Sequence, residues 1–385
     1  MNKTAIIFGA GKTGRGFAAH LAFLGGYDII LIDKNRQLVT DLNKAHQYDI
    51  QIVDNKKMSC TIYVSGAYHI EDISWQDDFV STSLVFTSVF SNNLEALARY
   101  LAMALDKRYT ENPMQVLTII TCENLAGAAG FLKKMILKNI GEEKEKWLSE
   151  CVGFSESIIF RTCLEAGNDQ PFLTIRAQNF FELPCDGDAI KEPLHVYGLK
   201  PLKNFSNQLQ RKIYTYNCIN AVITYLGAIK GYAQLYEAGN DAEILETARK
   251  AAQETSLAQV VEFGFDSKEQ QEWVEAAFAK FADKNIPDPI ERNGADPARK
   301  LARNDRLIGP ALLTLQHNIY PEGLLAGIKA CFEYCDPNNN FKIADMIREK
   351  GIDSILEEIC GLSKEEKLFE LIKEQFKGNK LNEKN

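Results

Sequence analysis

Short runs of β-branched and aromatic residues alternate with segments of helical periodicity through the first half of the chain. The strand candidates are Thr4–Phe8, Asp28–Ile32, Thr61–Val64, Leu84–Thr87 and Gln115–Thr121. Between them, Gly14–Leu24, Leu94–Lys107 and Leu125–Lys138 carry apolar residues at helical spacing. Strands that alternate with helices predict a parallel sheet covered by helices on both faces. Residues 152–186 break the rhythm: Phe172–Arg176 and Phe180–Leu183 read as antiparallel strands near a sheet edge. Around Lys191–Pro201 two prolines and a glycine interrupt all periodicity, which places a domain boundary there and divides the chain into 1–197 and 198–385. Beyond it the pattern is helical throughout, over 203–230, 240–263, 267–282, 307–317, 321–335, 341–358 and 363–377, with no further strand expected. The fold class is therefore α/β: a doubly wound sheet domain of Rossmann type, followed by a mostly α-helical domain.

The 385 residues suffice for two separately cored domains, and 45% hydrophobic with 25% charged residues is a globular composition. A formal charge of −8 with no long basic block argues against a nucleic-acid partner. No apolar stretch is long enough to span a bilayer, and the opening residues lack the pattern of a secretory signal, so a cytoplasmic, monomeric or weakly oligomeric protein with no membrane partner is expected. Nine scattered cysteines without a C-x-x-C pair read as reduced thiols. Cys331 and Cys335 share a face if they share a helix, and burial explains them. The five histidines are far apart and none has a partner at metal-ligand spacing, so no metal is expected.

The first candidate chemistry lies directly after the first strand. Gly9-Ala10-Gly11-Lys12-Thr13-Gly14 fits G-x-G-x-x-G and opens a helix. The three glycines allow a tight turn, close approach of a pyrophosphate and close packing of helix on strand. The free amides at the helix start then hold the phosphates. Asp33, after the second strand, stands where a carboxylate binds the adenosine ribose diol, which favours NAD over NADP, although Lys34 partly offsets its charge. The alternative is a structural turn beside a surface aspartate.

A dehydrogenase without metal needs a group to accept the hydroxyl proton, and a desolvated lysine serves because burial lowers its pKa. Lys212 lies on an otherwise apolar helical stretch. At about 100° per residue, Asn217 and Asn220 come round to a position from which their amides reach a common pocket. A snorkelling lysine and solvent-facing asparagines are the plain alternative.

These segments together resemble the polyol-specific long-chain dehydrogenases, the mannitol dehydrogenase family. The likeness runs from Ile6–Gly11 and Gly14–Phe17 through Thr121-Cys122-Glu123-Asn124 and Val152-Gly153-Phe154 to Asn217, Tyr225-Leu226-Gly227, Arg299-Lys300-Leu301 and Asp305-Arg306-Leu307. The resemblance implies NAD as cofactor and a cleft between the domains in which hydride passes between nicotinamide and a sugar carbon. It makes Lys212 the general base, and Asn217 and Asn124 the amides that stabilise alkoxide charge. Asn124 also reads as a helix N-cap. Thr87 and Val89 fall on a cofactor-contacting turn. The expected activity interconverts a polyol or polyol phosphate and its keto sugar. The same chemistry on a sugar acid and a catalytically silent NAD-binding sensor are the competing readings.

Three positions depart from the family pattern. Asn220 replaces a histidine, Phe160 an acidic residue before Arg161, and Phe90 a glycine after Val89. Each stands where the family approaches substrate or nicotinamide, so weak turnover of mannitol and mannitol 1-phosphate is expected. For a phosphate on the substrate, Arg299, Lys300, Arg303 and Arg306 are the candidate ligands, with a solvated helix face as the alternative.

Overall fold

A computed structural model of the chain describes residues 3–376 except 54, 124, 167–170, 286 and 338–340. The chain divides into two compact units, Met1–Phe205 and Ser206–Asn385.

The first unit is built on strands β1 (Lys3–Phe8), β2 (Tyr27–Asp33), β3 (Gln47–Ile52), β4 (Cys60–His69), β5 (Leu84–Thr87), β6 (Leu117–Thr121), β7 (Val152–Glu156), β8 (Cys163–Glu165) and β9 (Ile175–Ala177). They form one sheet in the order β7-β6-β5-β1-β2-β4-β3-β9-β8. From β7 to β4 every pairing is parallel. Antiparallel pairs enter only beyond, at β3 with β4 and β8 with β9. Because helices cover both faces, the central strands are apolar at consecutive positions rather than alternate ones. Ala5, Ile6, Ile7 and Phe8 are all buried, and they part by the period of two: Ile7 packs with Phe17, Leu21 and Phe86, whereas Ile6 and Phe8 pack with Trp75, Phe79, Leu97 and Leu101.

The later strands correct the sequence expectation in part. Ile175–Ala177 does pair antiparallel, with Cys163–Glu165, but it also pairs parallel with β3. Leu183–Asp186 (β10) instead lies parallel to Leu199–Leu202 (β11). Residues 187–198 supply the connection of about a dozen residues that a parallel pair needs. The same pairing keeps the chain in the first unit as far as Phe205.

The second unit is helical around a core that includes Ile219, Val222, Tyr225, Ala248, Ala252, Leu324, Ile328 and Phe332. Where one helix was expected over 203–230, the chain forms Phe205–Lys212, a π-helical turn Ile213–Asn217 and then Cys218–Ile229. The segment 341–358 is likewise broken, at Gly351 with φ 86°, into Ile343–Lys350 and Ile352–Glu358. A two-stranded antiparallel piece, Cys335–Asp336 with Phe341–Lys342, contradicts the expectation of no strand in this half. It follows that Cys331 and Cys335 do not share a helix, since that helix ends at Glu333. Cys331 is fully buried, and desolvation pushes its thiol up to about 12.

Among the described residues, no helix is long and apolar enough to cross a membrane, and no cluster of His, Cys, Asp or Glu has the makings of a metal site.

Candidate active site

In the first unit the glycine turn sits at the carboxyl end of β1. Gly9 has φ 93°, and a Cβ there would meet Ser88 O at 2.2 Å; one on Gly14 would meet Gly9 O at 1.8 Å. Both glycines are thus demanded by close packing of backbone on backbone. Gly11 is different, because a Cβ there would meet nothing within 4 Å, and the space beside it is open. That space, next to the first-turn amides that a helix leaves without intrahelical partners, fits a pyrophosphate.

Asp33, the last residue of β2, turns its carboxylate to the glycine loop: Oδ2 accepts from Ala10 N at 2.7 Å and Oδ1 from Asn35 N at 2.8 Å. Asn35 in turn caps the helix Arg36–Ala45, accepting from Gln37 N and Leu38 N. Lys34 donates to Asn93 Oδ1 at 3.4 Å rather than pairing with Asp33. Arg15, whose side chain sequence reasoning did not use, braces the turn from behind. It is buried, and its guanidinium donates to Ala10 O at 2.7 Å and Leu173 O at 2.5 Å.

Thr87 and Val89 spend their polar groups on the protein. Glu123, buried at the end of β6, accepts from the Thr87 hydroxyl at 2.8 Å and from Val89 N at 3.0 Å. Burial raises the Glu123 carboxyl above the ordinary value for a glutamate. Sequence reasoning missed Glu123 as a structural clamp, though it lay inside a quoted motif. Asn124 lies outside the described residues. The helix beyond it begins at Ala128 with Gly127 as its cap, and Glu156 Oε1, from β7, takes the amides of Gly127 and Ala128 at 2.6 and 3.3 Å.

The two aromatic departures behave differently. Phe160 is buried and packs edge-on against Phe180 at 5.7 Å between ring centroids, which makes it part of the packing of the first unit. Phe90 is 79% exposed and holds φ 61°, ψ 147°, a conformation nearly confined to glycine that costs about 1–3 kcal/mol.

In the second unit Lys212 ends the helix Phe205–Lys212 and is only 8% exposed. Its ammonium is lowered from 10.5 to about 7, first by desolvation, then by the positive charges of Arg306 and Lys280, against the opposing pull of Asp305. The π turn that follows invalidates the uniform 100° per residue assumed for the spacing of Asn217 and Asn220. The turn is held from outside: Thr255 Oγ1 donates to Tyr214 O at 3.1 Å, and Gln259 and Gln270 donate to Thr215 Oγ1 at 3.1 and 2.9 Å. Such turns in otherwise regular helices recur at functional sites. Just before Lys212, the Arg211 guanidinium lies between Phe265 and Trp273, 4.6 and 4.4 Å from the ring centroids.

Asn217 and Asn220 are half-buried, and Asn220 Nδ2 donates to Asn293 Oδ1 at 3.2 Å. Lys300 donates to Asn293 O, lies 5.6 Å from the centre of the Tyr225 ring, and is lowered to about 8 by burial and by Arg306. The four basic candidates therefore separate. Arg303 is bound bidentately by Glu366 at 2.7 and 2.9 Å, and Arg299 pairs with Asp296 at 2.9 Å. Lys300 and Arg306 are the buried members, with Arg306 Nε on Asp305 Oδ1 at 2.7 Å.

Residues 3–195 match the model of the mannitol dehydrogenase Rossmann domain, and residues 204–378 match that of the mannitol dehydrogenase C-terminal domain. The chain is 31% identical over 373 residues to a mannitol-1-phosphate 5-dehydrogenase of Bacillus subtilis, covering 96% of this chain and 98% of that one. A mannitol-1-phosphate 5-dehydrogenase of Geobacillus thermodenitrificans is 30% identical over 382 residues, with 97% and 98% covered. In fold it is similar to a D-sorbitol dehydrogenase solved in substrate-free form (TM-score 0.79, 12% identity, 99% of this chain and 94% of that one). It is also similar to the Pseudomonas fluorescens mannitol 2-dehydrogenase solved with NAD and D-mannitol (TM-score 0.73, 14% identity, 99% and 93% covered). With both family models matched in order across nearly its whole length, the chain belongs to the mannitol dehydrogenase family.

Proposed function

We propose that this protein interconverts a polyol or polyol phosphate and its keto sugar, with Lys212 as the general base. It is an NAD-dependent dehydrogenase acting on a CH–OH group. The observation that carries the reading is the burial of Lys212, 8% exposed at the end of its helix and directly before the π turn, where desolvation and neighbouring cations bring its amine down to about 7 and so let it exchange a proton near neutral pH. The dinucleotide, when bound, supplies the hydride acceptor or donor. The chain's own part begins with the glycine turn Gly9–Gly14, whose open face at Gly11 receives the pyrophosphate, while Asp33 accepts from the ribose diol. In the oxidising direction the neutral Lys212 amine takes the hydroxyl proton. The amide of Asn217 then donates to the oxygen as negative charge develops. Asn220, whose Nδ2 is held by Asn293, orients the same oxygen as a neutral group and brings no charge of its own.

The phosphate of a phosphorylated substrate falls to Lys300 and Arg306, the two buried members of the four, of which Arg306 shares its charge with Asp305, whereas Arg299 and Arg303 are exposed and paired with Asp296 and Glu366. The test is reduction by NADH of a panel of ketoses, ketose phosphates and keto acids, repeated with Lys212→Met. A substrate turned over by the native chain and left unreduced by the variant, at unchanged NADH affinity, supports the assignment. Near-normal turnover by the variant at saturating substrate overturns it.

A further inference from the structure

The order of strands reverses at β1, which has β2 on one side and β5 on the other. A dinucleotide lies across such a reversal, outside the carboxyl ends of the strands. Asp33 ends β2 and faces the glycine turn, so on the reading given above the adenosine ribose lies on the β2 side. The nicotinamide half then falls on the other side, over the residues that follow β5. Those residues touch the turn itself: a Cβ on Gly9 would meet Ser88 O at 2.2 Å and Val89 Cγ1 at 3.2 Å.

Next in the chain is Phe90, at φ 61° and ψ 147° with its ring in solvent. A large apolar side chain gains nothing by itself from an exposed position in a nearly glycine-only conformation. Its neighbours impose the conformation. The Glu123 carboxylate holds Val89 N, Asn93 Nδ2 donates to Val89 O at 2.5 Å, and Asn93 N donates to Phe90 O at 3.0 Å. Lys34 donates to Asn93 as well, which ties this loop to the residue after Asp33 on the far side of the turn. With the Val89 amide and both carbonyls engaged, the loop holds an exposed phenyl ring directly after the residues that touch the glycine turn.

We infer that Phe90 is a binding residue for the cofactor, its ring packing against the nicotinamide ring of the dinucleotide. The inference rests on the placing of the dinucleotide along Gly9–Gly14 and Asp33. Binding covers apolar surface that water otherwise contacts, and the strained backbone fixes the ring in place beforehand.

The test compares NADH with ADP-ribose, which lacks only the nicotinamide, on the full chain carrying Phe90→Ala or Phe90→Gly. Both variants weaken NADH about five- to tenfold, the loss for uncovering roughly half a phenyl ring, and leave ADP-ribose within about twofold. Phe90→Gly melts higher than Phe90→Ala, since glycine takes φ 61° without strain. Unchanged NADH affinity in both variants, or equal losses for the two ligands, overturns the inference. Asp33→Ala in the same titrations separates the two levels. If it weakens ADP-ribose while the Phe90 variants spare NADH, only the role of Phe90 falls. If it leaves ADP-ribose untouched, the placing of the dinucleotide falls and the role of Phe90 with it.

Discussion

Replacing Lys212 by methionine is expected to make the protein more stable while abolishing its chemistry. The lysine amine is lowered from 10.5 to about 7 in the folded chain. At about 1.36 kcal/mol per pH unit this corresponds to an upper bound of roughly 5 kcal/mol against holding the ammonium in the fold. Between pH 7 and 10.5 the unfolded chain binds more protons at this position than the folded one, so stability rises with pH across that window. Below pH 7 both states are protonated and the full penalty stands. Methionine fills a similar volume without charge and removes the penalty, less whatever hydrogen bonding Lys212 contributes. Allowing for that loss and for relaxation around the site, the net gain at pH 6 is about 2 kcal/mol, which at 2–4 °C per kcal/mol raises the melting temperature by about 4–8 °C. The assay is thermal unfolding of native and variant proteins at pH 6 and pH 9.5. The advantage of the variant should be larger at pH 6 and shrink by more than half at pH 9.5. A variant that melts lower at pH 6, or an advantage independent of pH, would refute the claim that desolvation sets the state of this lysine.

In the pH profile of polyol oxidation, kcat should fall tenfold per pH unit below about 7, as the Lys212 amine becomes protonated, and level off above it; a flat profile between pH 5.5 and 8 contradicts a lysine base. Asp33→Ser should cut the preference for NADH over NADPH by at least tenfold in fluorescence titrations, through loss of the carboxylate that repels a 2′-phosphate, and an unaltered ratio counts against its role on the ribose. Arg306→Ala should raise KM for a phosphorylated substrate more than for its unphosphorylated counterpart, whereas Arg303→Ala, which breaks a pair with Glu366, should lower the melting temperature and move both KM values alike. Turnover of mannitol 1-phosphate should be at least tenfold slower than that of the best substrate found, because Asn220 carries no charge there and Phe90 stands in place of a small residue; efficient turnover would show that backbone or water supplies the missing contacts.

Local patterning determined the α/β class, the central strands and the glycine turn, because each is specified by neighbours in the chain: an apolar run buried on both faces, three glycines at fixed spacing, an acid at the next strand end. The burial of Lys212 was legible for the same reason, from the largely apolar run that follows it, Ile213–Tyr225. What depended on distant partners was not legible. The π turn Ile213–Asn217 is sustained by Thr255, Gln259 and Gln270 from other helices. The parallel pairing of β10 with β11 reflects how the chain returns after residue 186. The sorting of Arg299 and Arg303 from Lys300 and Arg306 turns on which of the four the fold buries, and Arg303 meets Glu366 only through the tertiary fold. The same holds for Glu123, which acquires its function only when the ends of β5 and β6 lie side by side and deliver Thr87 and Val89 to one carboxylate. Periodicity records which side of an element is buried, but hydrogen bonding and desolvation depend on the atoms packed against it, and those are set by the tertiary fold.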